Sequence, residues 1–128
     1  MAYEAAQIKV GNWTASADLT AKQYHLVKMS GDNTVTVCSG ITDVPVGVLQ
    51  NTPNSGDAAE VCIFGITKVV ADGTLVAGNR IGTSGDGQAD AITAGTDTTV
   101  TVVGIALAGA SAGDTIEMFL NPTGARAA

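Results

Sequence analysis

Aromatic residues are scarce, at 4% of 128 positions: Tyr3, Trp13, Tyr24, Phe64 and Phe119. Exposed aromatics usually line sugar sites, so such a site would have to be built around very few residues, with Trp13 the first to test. Charge is scarce too, at 14%, against about a quarter in an ordinary soluble domain. The six basic residues, Lys9, Lys22, Lys28, Lys68, Arg80 and Arg126, are scattered, and the net charge is −6. Phosphate binding needs clustered Lys and Arg, so no direct nucleic-acid partner is expected. No apolar run approaches the length of a membrane-spanning helix, so no membrane partner is expected either. The first residues lack a charged segment followed by an apolar one, and no secretion signal is expected.

Catalytic signatures are missing as well. The single histidine, His25 in "QYHLVKM", reads as a structural strand residue, since a general base needs a partner group within reach. The nucleophile-elbow pattern G-x-S-x-G does not occur. Cys38 and Cys62 with one histidine fall short of a zinc ligand set. "SGDGQAD" (84–90) lacks the spacing and the terminal glutamate of a calcium loop, and reads as a turn between strands. No catalytic residue, metal site or cofactor is expected. The cysteine count leaves a disulfide open; free, buried thiols are the simpler reading.

What the chain has is Val, Ile, Leu, Ala and Thr in short runs, with 16 glycines between them. That mixture favours strands and tight turns over helices. Ile8–Val10, Tyr24–Met29, Thr34–Cys38 and Val46–Leu49 read as short strands. "AAEVCIFGITKVV" (58–70) is the longest such run, and its Gly65 marks a bulge or bend. "TIEMFL" (115–120) closes the series. Only Ala15–Lys22 is a candidate for a turn of helix. Eight to ten strands follow, an estimate of about the usual strand spacing.

One pattern is written twice. Val46, Gly47, Gly56, Asp57 and Glu60 recur as Val103, Gly104, Gly113, Asp114 and Glu117, always 57 positions on. "LTAKQY" (19–24) returns as "LVAGNR" (75–80), 56 positions on, and Ser30–Asp32 as Ser84–Asp86, 54 positions on. Glycine supplies positive φ or close backbone approach, and aspartate can bond its own turn. Gly47, Gly56, Asp57, Gly104, Gly113 and Asp114 are therefore read as residues that define turns and strands. Glu60 and Glu117 are expected to point outward while Val61 and Met118 point inward. Phe64 and Phe119 read as core.

The resulting organisation is an N-terminal arm and first strand at 1–14, one all-β domain at 15–121 with pseudo-repeats at about 19–64 and 75–120, and a tail at 122–128. A surface with so little charge favours self-association. The small-residue arm Ala2, Tyr3, Glu4, Ala5, Ala6, Gln7 and Ile8 is the candidate segment for engaging a larger partner.

In order, "DLTAKQYHLVKMSGDNTVTV", "VGVLQNTPNSGDAAEVCIFGITKV", "GNRIGTSGDGQADAI" and "VGIALAGASAGDTIEMFL" resemble the capsid decoration, or cement, proteins of tailed bacteriophages. "VGVLQN" followed by "VCIFGITKV" carries a weaker likeness to the head-decoration protein of phage lambda. The resemblance implies a small compact β-barrel of the β-tulip or β-clip kind, built from two related halves. It implies a homotrimer on the outer capsid surface of the virion, made in the host bacterial cytoplasm. There it would bridge major capsid protein subunits and stabilise the expanded head. The alternative is a glycan- or small-molecule-binding β module on a virion or cell surface. A hydrolase with two carboxylates in a cleft is a third reading.

Overall fold

Alternating and β-branched residues build nine strands in the computed structural model, which describes residues 2–123 and 125–127. They are β1 (Ala5–Ala15), β2 (Leu26–Gly31), β3 (Thr34–Val37), β4 (Gly47–Leu49), β5 (Ala58–Val70), β6 (Arg80–Thr83), β7 (Ala89–Ala91), β8 (Gly104–Ala106) and β9 (Thr115–Leu120). No helix occurs among the described residues; of the candidate Ala15–Lys22, Ala15 closes β1 and the rest forms bends and a turn. β2 starts two residues later than expected because Tyr24 has φ of +63° and the His25 N–H closes a turn onto Lys22 O at 3.1 Å. Of the expected tail, residues 124 and 128 lie outside the described residues.

The strands form one sheet in the order β1-β3-β2-β4-β5-β9-β8-β6-β7. This corrects the expected β-barrel. Among the described residues no strand pairing joins β7, at one end, to β1, at the other. β1 instead turns back to pair antiparallel with β5, from Ala5↔Ile66 to Thr14↔Ala58. The physical reason is that the apolar side chains are buried in two clusters, one inside the first half and one where the second half sits on the first, so the strands do not all close around a single interior. Ala15, Leu19, Val27, Val35, Leu49, Ala59 and Val61 form one buried cluster. A second contains Ala71, Leu75, Ile81, Ala89, Ala106, Ile116 and Met118, joined by Leu26, Cys38, Val48 and Cys62 from the first half.

The pairing scheme runs twice. β2 pairs antiparallel with β3 and β4, and β4 with β5; β6 pairs antiparallel with β7 and β8, and β8 with β9. Leu26↔Val48↔Cys62 form one row across the first set, and Arg80↔Ile105↔Phe119 form the corresponding row across the second. The joins outside the strands repeat too. Gly56 N–H donates to Ala15 O and Gly113 N–H to Ala71 O, each at 2.8 Å. Gly56 and Gly113 have φ of +89° and +85°, which an L side chain would resist. Asp114 accepts the Ser111 N–H at 2.9 Å, the local turn bond expected of it.

Two sequence readings of side-chain direction change. Val61 and Met118 are fully buried, but Glu117 is also buried, lying opposite Lys68 in the β5–β9 ladder. Phe64 is exposed and Phe119 half-buried, so neither belongs to the core. Gly65 has φ of +117°, and the β1–β5 register shifts alongside it; the alternation of β5 is interrupted earlier, where Val61 and Cys62 are both buried.

Candidate functional site

The candidate site is an exposed apolar face across β1, β5, β9 and β8. Ile8 lies opposite Phe64, Ile66 opposite Phe119, and Phe119 opposite Ile105. The Phe64 and Phe119 rings meet edge to face, with centroids 5.6 Å apart, a favoured arrangement for their quadrupoles. Ile8 is 54% and Ile105 41% exposed. Beside them a groove of about 350 Å³ is lined by Ile105, Phe119, Val102 and Ala125, with Arg80 and Arg126 among its walls. The C-terminal segment forms one wall because Thr101 bridges to Arg126 and the Val102 N–H donates to Ala125 O at 2.9 Å. Such a surface can bury apolar area and pair its guanidinium groups with carboxylates.

A second groove, of about 520 Å³, is lined by Lys28, Met29, Val44, Pro45, Val46, Pro122 and Thr123. Asp43 holds its rim. Its Oδ2 accepts from Lys28 Nζ at 2.9 Å, the Ser39 N–H at 2.8 Å and the Gly40 N–H at 3.0 Å. Partial burial works against the charge of Asp43, but these donors outweigh it and hold its carboxyl below the ordinary value. A carboxyl depressed in the folded state stabilises fully above its unfolded pKa and loses that contribution as pH falls through the folded value. Asp43→Asn is therefore expected to cost about 1–2 kcal/mol at neutral pH. The gap between variant and wild type should narrow below pH 3.8, the ordinary value. Urea unfolding at neutral and acid pH reads both.

The expected arm is placed as follows. Ala5, Ala6, Gln7 and Ile8 belong to β1, with Ala2, Tyr3 and Glu4 ahead of it. Gln7 Nε2 donates to Ile66 O and to Glu4 Oε2, each at 3.0 Å. The segment is thus sewn to β5 from Ala5 onward, and it contributes Ile8 to the apolar face. Gly47 lies against Cys62 O of β5 and Gly104 against Phe119 O of β9. Phe64, Ile105 and Phe119 are site residues that sequence reasoning missed. The signal available for the two phenylalanines was parity, since strands that point Val61 and Met118 inward point Phe64 and Phe119 outward.

The remaining reactive groups are sequestered or dispersed. Cys38 and Cys62 are free and buried. Desolvation pushes the Cys38 thiol up to about 12, and raises that of Cys62 as well. His25 is buried, with Nδ1 3.1 Å from Gln23 O. Trp13 is half-buried and packs on the first-half core. The Asp90 carboxyl is raised first by desolvation, then by the negative charges of Asp72 and Asp97. None of Asp72, Asp90 and Asp97 lines either groove, nor do Cys38, Cys62, His25 and Trp13. Among the described residues no group of three His, Cys, Asp or Glu side chains is placed to hold a metal ion.

No protein-family model matches the chain, and no curated protein sequence matches it. Among solved structures, the chain is similar to the head fiber gp8.5 N base of bacteriophage phi29. The identity is 18%, over 94% of this chain and 98% of that one, with a TM-score of 0.68. At this identity the likeness concerns the fold.

Proposed function

We propose that the protein is a non-enzymatic structural module of a bacteriophage virion surface, working by adhesion. The observation that carries this reading is the fold shared with a head fiber base over nearly the whole of both chains. A fiber component favours an outward-facing module that holds a ligand, such as a glycan or other small molecule. The groove between Ile105, Phe119, Arg80 and Arg126 offers that ligand apolar contact and two cations.

The second reading is the capsid-bound one: a homotrimer on the outer shell that bridges major capsid subunits. Its support is the exposed apolar face together with the low charge of the chain. Many equivalent sites on a closed shell would add avidity to a modest contact. In that reading the segment from Ala2 to Ile8 engages the shell.

The deciding experiment mixes purified protein with expanded and unexpanded empty heads, and in parallel applies it to a glycan array. Array signal without pelleting is the expected result for the ligand-holding module. Pelleting with expanded heads supports the capsid-bound reading, and loss of that pelleting on deleting residues 2 to 6 would assign it to the N-terminal segment. A protein indifferent to heads and to glycans would overturn the proposal.

A further inference from the structure

The two corresponding rows of the sheet have opposite fates. Leu26, Val48 and Cys62 are fully buried, as is Cys38 beside them, because the second half of the chain sits on them. The contact includes the tip of the β6–β7 hairpin. The Leu26 N–H donates to Gly87 O at 2.6 Å, and Gly87 lies against Val37, Leu26 and Cys38.

In the second half the same positions are held by Arg80, Ile105, Phe119 and Ile92. Ile92 is matched to Cys38 by its bond, since its N–H donates to Arg80 O as that of Cys38 donates to Leu26 O, each at 2.9 Å. Here no second set of strands sits on the row among the described residues; the C-terminal segment walls it on one side and Phe64 lies against Phe119, while Arg80 and Ile105 are exposed and Phe119 and Ile92 half-buried. The Arg80 N–H faces the β7 side of β6, because Asn79 O and Ile81 O bond toward β8. Among the described residues no backbone group accepts it.

The hairpin tip has a counterpart as well. Asn33, with φ of +52°, stands where Gly87 has φ of +79°, in the Ser30–Asp32 repeat of Ser84–Asp86. This tip is exposed, as is Met29 before it. Asn33 O accepts the Thr14 N–H at 2.9 Å, which leaves the carbonyl its second lone pair.

We propose that a second copy of this chain docks on the uncovered row with its β2–β3 hairpin tip, repeating between chains the contact that joins the halves within one. Met29 then meets Ile105 and Phe119, Asp32 faces Arg80, and Asn33 O receives the Arg80 N–H. The two surfaces are different, so the contact is heterologous. It repeats from copy to copy, either closing as a ring or continuing as a filament.

The test is molar mass by light scattering at high protein concentration, with circular dichroism and thermal melting to verify folding. Wild type is expected to exceed a monomer. Ile105→Glu on the row and Met29→Glu on the tip are each expected to be folded monomers. Val76→Glu, at an exposed valine elsewhere, should keep the wild-type mass. An equal mixture of the two monomeric variants retains one intact row and one intact tip, and is expected to form dimers and nothing larger. A monomeric wild type, an Ile105→Glu assembly of wild-type mass, or a mixture that stays monomeric would each overturn the proposal. Shells and glycans play no part in this measurement. A chain that assembles this way yet ignores both would retain this inference and lose the proposed function.

Discussion

Gly104→Ala is expected to cost about 3 kcal/mol or more, the upper range for overpacking a core, and Gly47→Ala a similar amount. A Cβ at Gly104 would fall within 3.0 Å of Phe119 O and of the Met118 methyl; one at Gly47 would fall within 3.0 Å of Cys62 O and of Val61 Cγ1. The obstructing atom in each case is a backbone carbonyl of the neighbouring strand. It cannot turn aside as a long side chain can, and moving it would pull β8 from β9 or β4 from β5. Gly73→Ala is the control, since nothing lies within 4 Å of a Cβ there and its φ is not positive. Its stability should stay within about 0.5 kcal/mol of wild type. Urea unfolding of the three variants measures the contrast. A Gly104→Ala protein as stable as the Gly73→Ala one would contradict this account of the strand contacts.

Leu26→Ala is expected to cost about 3 kcal/mol, the usual figure for truncating a fully buried leucine, and to do so without splitting the transition. Leu26 belongs to the first half by sequence but lies in the cluster that contains Ile81, Val103 and Met118 of the second. Its N–H also holds Gly87. Deleting its side chain therefore opens a cavity at the joint between the halves. The halves share β5 and this joint, so they should lose structure together, in one transition at a lower midpoint. Two separated transitions, with the first half melting alone, would show that the joint contributes little to cooperativity.

How much of this could be read beforehand differs from residue to residue. Alternation in "TVTV" and the continuous run 58–70 were sufficient for strands, because side-chain direction in a strand depends only on parity. The lack of helical spacing sufficed for an all-β chain. Phe64 and Phe119 went the other way. Apolar character says core, but the parity that points Val61 and Met118 inward points both phenylalanines outward, and that is where they lie. The open sheet was illegible for a different reason. Two similar halves are equally consistent with closing around one interior or with one sitting on the other, and local pattern carries no information about which strand edges meet.

The sequence by itself determined that the chain is made of short strands and that its second half copies its first, glycines 47 and 104 included. These follow from local sterics and periodicity, which act over a few residues. Only the tertiary structure decided that positions 47 and 104 need glycine against a neighbouring carbonyl, and that Leu26, Val48 and Cys62 are fully covered while Arg80 and Ile105 are exposed and Phe119 half-buried. That difference arises because the second half sits on the first, while among the described residues no set of strands sits on the second.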